Sequence, residues 1–415
     1  MSAGHHLKRP YEIHERNDFV GGHAITIEEK GYRFDRTGHL LHLRDEAMRR
    51  WVTTLLKDRT VTVERKSRVF SHGVYTRYPY QANTFGLPPD IAYECLTGFL
   101  EALQKQAQTT EPNTFEEFCL KYFGEGFSKH FMIPYNAKLW GTHPREITAQ
   151  WCSRFVPMPK LDDVIAGAVG KNDRELGYNT NFLYPKQGIG ELPKALYKGL
   201  EQHTLLEHAP TSIDFQNKRI HFQDGSRDYQ ALIATLPLDI LLALLQDLPA
   251  DIQEAASKLR CNPLWYLDVA LQRPCGVDLH WAYVPEERFP FYRVGCYSNF
   301  SEQMAPPGKA GLYVELSSRE KPDMAILLPK VIEGLIEMRI IDKADDVAFA
   351  SPRLISHAYV LYDHNYYGAL DRIKPFLARH NIIPTGRYGD WNYSSMEDAL
   401  LFGQKAAQQA EELCT

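Results

Sequence analysis

Apolar and polar positions alternate with period two in short stretches and recur with helical spacing in longer ones. Residues 10–16 (PYEIHER) read as a short strand closing on Glu15, Gly21-Gly22 mark a turn, and ITIEEKGYRFD reads as a β-hairpin with Gly31 near its tip. Residues 44–57 have helical spacing, with Ala47, Trp51, Leu55 and Leu56 on one face. Residues 60–85 alternate and are rich in Val, Tyr and Thr, which predicts strands. From about 88 to 130 the pattern is helical, and Thr114-Phe-Glu-Glu117 has the form of a capping box. Residues 203–236 are β-rich, with Asp224-Gly225 as a hairpin signal, and ALIATLPLDILLALL predicts a strand running into a helix through Pro237. Further strands are expected near 264–272, 281–284 and 311–316, and helices over 328–340 and about 396–412.

There is no internal repeat, low-complexity tract or long linker, and small β-rich blocks interrupt helical ones. That arrangement implies interleaved domains. The 415 residues allow two or three domains and a large core. A net charge of −5 gives no hint of a nucleic-acid partner, and no apolar run approaches the roughly 20 residues of a membrane span. The opening MSAGHHLKRP has no apolar signal segment, and the seven scattered cysteines form no CxxC pair. These features predict reduced thiols, a cytoplasmic location and no metal site. With 23 tyrosines, many hydroxyls need water or a partner, which suits a polar ligand cleft.

An acidic residue at the end of a short strand has a known use. In a dinucleotide-binding βαβ unit it hydrogen-bonds the ribose hydroxyls, and a Gly-Gly turn beside it lets backbone approach a ligand. Glu15 with Gly21-Gly22 suits that role, and taken alone reads first as a surface Glu beside an ordinary turn. The glycine-rich phosphate loop belongs about 20–25 residues before such an acid, and only fourteen residues precede Glu15. AGHHLKRPYEIHERND reads as the end of a first helix followed by a second strand. On residues alone, Arg154 and Arg293 are two arginines among many. His39, in an apolar run after Gly38, reads first as a core residue. His42 has no further support and reads as structural.

The motifs ERNDFVGG, GYRFDRTGH, YPYQAN, IPYNAKLW, PFYR with SNF, and GRYGDWNY, in this order from Tyr11 to about Gln408, resemble the UDP-galactopyranose mutases, above all their eukaryotic-type branch. Those enzymes belong to the protoporphyrinogen oxidase and amine oxidase class of FAD proteins. The resemblance implies an α/β fold with a discontinuous Rossmann-like FAD domain, residues 1–60, 180–240 and 380–415, whose first βα unit is missing. It implies a substrate region over 61–179 and 241–379, mainly helical over 86–178, with a β-sheet layer.

The same resemblance assigns Glu15 to the adenosine ribose. Arg16, Gly21, Gly22, Gly38, Gly188, Gly190, Arg387 and Met396 also fall on the FAD side, and His39 lies under the flavin ring, in TGH where the mutases have GGH. Arg154 and Arg293 would clamp a diphosphate. Tyr78, Tyr80 and Gln81 match the uridine-side motif, with Tyr80 in place of Phe. Asn136, Trp140, Asn179, Trp281, Tyr283, Tyr359 and Tyr393 match other substrate contacts. Phe300 stands where the mutases have Tyr, so one phosphate contact is lost.

The implied activity interconverts pyranose and furanose forms of a nucleotide sugar through a flavin N5–sugar adduct, with NAD(P)H as the reductant. Its redox cousins would use the same cleft to remove hydride. A flavin-free homologue without catalysis is the third reading. The absent glycine loop predicts an incomplete parallel sheet and weak FAD retention.

Overall fold

The computed structural model describes residues 1–106, 110–152, 156–171 and 181–414. Its largest sheet has seven strands, in the spatial order Val347–Val360, Cys261–Leu271, Ala310–Leu316, Phe291–Cys296, Trp281–Tyr283, Ser67–Ser71 and Val74–Arg77. Neighbours are antiparallel except at the junction of Trp281–Tyr283 with Ser67–Ser71. Side chains alternate between the two faces. On one face Ala282, Val294, Val314 and Leu267 stand in register and pack with Val331 and Leu335 of the helix Met324–Glu337. On the other face the same register aligns Tyr283, Arg293, Glu315 and Tyr266.

A helical block flanks this second face. Helices Pro89–Lys105 and Phe115–Phe127 approach so closely that a Cβ on Gly124, whose φ is 76°, would lie 2.0 Å from the Gly98 carbonyl oxygen. Only glycine tolerates both the conformation and the contact. Phe99, Phe115, Phe123 and Phe127 fill the space around the crossing. The chain continues through a π-helical turn, Ser128–Met132, into the helix Ile133–Trp140, which ends on Gly141 in the left-handed conformation.

Outside the large sheet, two short strand pairs are parallel. Ile13–His14 lies beside Thr204–Leu205, and Leu232–Ala234 beside Ile382–Pro384. Among the described residues no ladder joins the two pairs. Both border one large cavity, closed on another side by the helix Met396–Leu413.

The expected elements are present, with three differences. The hairpin forms between Thr26–Glu29 and Tyr32–Asp35, with Lys30 and Gly31 at positive φ as a tight turn of this hand requires. The Thr114–Glu117 capping box and the turn before Gly225 also form. In the helix Glu46–Leu56, however, the buried positions are Met48, Val52 and Leu56, while Ala47 is exposed. The helix expected over 328–340 runs from Met324 to Glu337. Strands Phe291–Cys296 and Val347–Val360 and the helix Tyr366–Arg379 had no counterpart among the expected elements.

Candidate active site

The cavity holds about 2000 Å³. Glu15, Arg16, Gly21, Gly22, Gly38, His39, Arg293, Tyr359, Arg387, Tyr393 and Met396 all line it, so residues nearly four hundred positions apart meet there. Glu15 sits just beyond the strand Ile13–His14, whose direction is fixed by the backbone bond from Glu15 to the Leu205 carbonyl. Its Oε1 accepts from the Asn17 backbone at 2.9 Å and from Asn17 Nδ2 at 2.7 Å. Met396 opens the final helix, capped by Ser395.

Three arginines reach the cavity without an acid partner among the described residues. Arg36 Nη1 lies 3.2 Å from His23 Nδ1. Arg387 donates to the carbonyls of Ser394 and Ala358, and its guanidinium lies 4.5 Å from the centre of the Tyr393 ring. Neither Arg16, Arg36 nor Arg387 has a carboxylate partner among the described residues. Burial, then repulsion from Arg36, His39, Arg387 and Arg16, drives the His23 pKa down to about 3. Burial likewise takes His39 down to about 4, with Arg387 and Arg293 adding to the effect. His39 is therefore neutral at ordinary pH, and its Nδ1 is buried with no partner among the described residues.

The sheet supplies the other wall. Arg293 Nη2 lies 2.5 Å from Glu315 Oε1 and 3.5 Å from the Tyr359 hydroxyl, while its Nε has no partner. Burial would lower the Arg293 pKa, but the adjacent Glu315 carboxylate, together with Tyr359, Tyr313 and Tyr135, outweighs it and holds the guanidinium charged. Trp140 stands edge-on to Tyr359 at 5.7 Å, and Tyr359 stacks with Tyr393 at 6.4 Å. Tyr283 lies 5.0 Å from Tyr78 and meets Tyr135 edge-on, which extends the aromatic wall.

Other expected site residues have partners within the protein. Tyr80 is fully buried and stacks on Phe131 at 4.9 Å, and Gln81 donates to the Pro157 carbonyl. Asn136 donates to the Met132 carbonyl of its own helix. Trp281 packs with Phe182 and Phe300 in an aromatic cluster. At Gly188 and Gly190 the crowding comes from the hairpin: a Cβ on Gly188 would lie 2.3 Å from Thr26 Oγ1, and one on Gly190 would lie 2.7 Å from the Thr26 backbone nitrogen. Gly38 faces Tyr313, whose hydroxyl would be 2.6 Å from an added Cβ. Arg154 and Asn179 lie outside the described residues.

Sequence reasoning passed over several residues of the site. Glu315 is fully buried beside Arg293, and its Oε2 has no partner among the described residues. Its signal was a lone carboxylate inside the strand GLYVEL. Tyr313, Tyr135, Arg36 and His23 were also missed. His42, read as structural, lines the cavity too, with its Nδ1 unpartnered.

This donor set suits a dinucleotide. Unpaired arginines fit a pyrophosphate, a carboxylate with one oxygen unengaged fits a ribose, and an imidazole with an unpartnered Nδ1 lines the same cavity.

Comparison with known proteins agrees. The family described as flavin containing amine oxidoreductase matches residues 1–410. The chain belongs to that family. Membership implies FAD as the cofactor of this amine oxidoreductase-family protein. Among solved structures it is similar to a reduced UDP-galactopyranose mutase, at 25% identity and a TM-score of 0.90, over 98% of this chain and 89% of that one. A putative protoporphyrinogen oxidase from Exiguobacterium sp. 255-15 shares the fold at 12% identity and TM-score 0.76, over 99% and 95% of the two chains. Cyclohexylamine oxidase from Brevibacterium oxydans IH-35A shares it at 14% identity and TM-score 0.70, over 100% and 96%. No helix among the described residues is long and apolar enough to cross a membrane, and no cluster of metal-ligating side chains occurs among them.

Proposed function

We propose that this flavin-family protein acts on a nucleotide sugar, interconverting its pyranose and furanose forms, and that NAD(P)H reduces its flavin. The observation that carries the reading is Arg293, held charged by Glu315 in a tyrosine-lined wall of the same cavity as His39. Arg presents a planar fork to phosphate oxygens, and tyrosines add neutral donors on stems with little rotamer freedom to lose. Likeness to a UDP-galactopyranose mutase supports the same substrate class. Glu15, Arg16, Arg36, His23 and Arg387 would hold the FAD. Bound and reduced, that flavin supplies the nucleophilic centre, so the chain needs no nucleophile of its own.

The protein's part is to bind and orient. Arg293 and the hydroxyls of Tyr359 and Tyr393 would steady a departing diphosphate. His39, uncharged, adds no positive charge beside the cofactor. Its unpartnered Nδ1 is free to exchange a hydrogen bond there. An amine-oxidase activity is the weaker reading, because a protonated amine would have to enter beside Arg293 and Arg387. Titration of UDP against the reduced, FAD-loaded protein, followed by assay of UDP-galactofuranose conversion, tests the proposal. Saturable UDP binding and product formation support it. Absence of UDP binding sinks it and leaves hydride removal as the better reading. NADPH added anaerobically should bleach the visible flavin band.

A further inference from the structure

The helix Ile133–Trp140 brings Tyr135 and Trp140 to the aromatic wall, and its C-terminal carbonyls have no partners within the helix. Arg319, from the loop that follows the strand Ala310–Leu316, supplies partners. Its Nη2 donates to the carbonyls of Leu139 at 3.1 Å and Lys138 at 3.4 Å, and its Nη1 donates to the Pro263 carbonyl at 3.0 Å. The next carbonyl, that of Trp140, accepts from Asn262 Nδ2. Asn262 is the strand partner of Tyr359. One guanidinium therefore ties the end of the helix to the strand that sits beside Tyr359. The contact has the favourable sign, a cation against the negative end of a helix.

Gly141 makes room for it. A Cβ on Gly141 would fall 1.6 Å from Arg319 Nε, and its φ of 57° is a conformation that glycine favours. A planar fork of five donors can satisfy three carbonyls at once, which a lysine ammonium on a flexible stem cannot do with the same geometry.

We infer that Arg319 is a positioning residue, which seats Trp140 edge-on against Tyr359 and so sets the shape of the wall that receives the substrate's nucleotide part. What that wall receives rests on the nucleotide-sugar reading; the seating of Trp140 does not.

The test uses full-length, FAD-loaded Arg319→Ala, Arg319→Lys and Gly141→Ala proteins, and the Arg319→Ala/Gly141→Ala pair. Each is titrated with UDP and followed by flavin absorbance and acrylamide quenching of Trp140, taken as the difference from a matching Trp140→Phe protein. The expected result is UDP binding weakened roughly tenfold in both Ala variants, no further loss in the pair, an intermediate Arg319→Lys, and an unchanged flavin spectrum. Guanidinium ion at millimolar concentration should restore Arg319→Ala and leave Gly141→Ala unrestored, because the added methyl fills the site. Unchanged UDP affinity with a lowered melting temperature would show a merely structural residue and overturn the inference. If the unaltered protein binds no UDP, the nucleotide-sugar reading falls. The inference is then judged on Trp140 alone: greater quenching in Arg319→Ala, reversed by guanidinium, upholds it, and unchanged quenching ends it.

Discussion

Arg293 and Glu315 are cross-strand partners whose side chains meet at 2.5 Å on the cleft face of the sheet. The pair keeps a cation at the cavity in a place where burial alone would oppose it. Replacing Arg293 with Ala removes a charged donor, and UDP binding should weaken by about 1.5–3 kcal/mol. Glu315→Gln keeps the volume and removes the competing anion. Arg293 then has its fork free for phosphate, so UDP should bind at least as tightly while the melting temperature falls. Calorimetric titration beside thermal unfolding checks both directions. Weaker binding in Glu315→Gln would mean that the carboxylate orients Arg293 more than it competes for it.

His39 separates cofactor effects from substrate effects. Its pKa near 4 leaves it neutral from about pH 5.5 to 8, so titration of His39 should not change the flavin spectrum across that range. His39→Ala should alter flavin absorbance and reduction rate while UDP affinity stays within about twofold. Comparing spectra and UDP titrations of the two proteins decides it. A loss of UDP binding as large as that of Arg293→Ala would place His39 on the substrate instead.

The residues that motifs could reveal were those flanked by glycine or by other aromatics: His39 after Gly38, Tyr359, Tyr393, and Arg387 in GRYGDW. Glu315 and Tyr313 stayed hidden because single strands carry no record of their neighbours. Only the register opposite Arg293 shows that Glu315 is its counter-charge. The resemblance assigns Gly188 and Gly190 to the flavin side, and the fold adds what their sequence could not show, that Thr26 of the hairpin lies close to both. The strand Val347–Val360 escaped notice because Pro352 interrupts it, and an edge strand tolerates a proline that an inner strand would not. Pro375 disguised the helix Tyr366–Arg379 in the same way.

Asp35 gives the fold a pH dependence with a definite sign. It is fully buried and accepts from the Thr26 hydroxyl at 2.6 Å, the Tyr184 hydroxyl at 2.5 Å and the Ile189 backbone. Burial nevertheless raises its pKa from 3.8 to about 7. The folded state thus holds this proton more tightly than the unfolded state. The stability it contributes is fully present below about pH 4 and is lost as pH rises towards 7. Asp268, raised to about 7 by burial in spite of Arg353, acts in the same window. Asp35→Asn should therefore flatten, without abolishing, the fall in denaturant midpoint between pH 4 and 7. A slope identical to that of the unaltered protein would exclude Asp35 as its source.

The two parallel strand pairs beside the cavity bear on cofactor retention. Ile13–His14 and Leu232–Ala234 each have one strand partner among the described residues, and the cavity lies between them. Their cavity-side backbone groups depend on water or a ligand, which is costly beside the apolar cluster of Leu7, Ile233, Ile383 and Ala406. A dinucleotide on that side gains the cations Arg16, Arg36 and Arg387. The 415-residue chain should accordingly bind added FAD reversibly and release much of it on gel filtration. Raising salt should speed the release, because cation–phosphate attraction carries a large share of the affinity. The flavin-to-protein ratio before and after the column, at low and high salt, measures this. A stoichiometric ratio that survives both conditions would show that the open strand edges do not weaken the site.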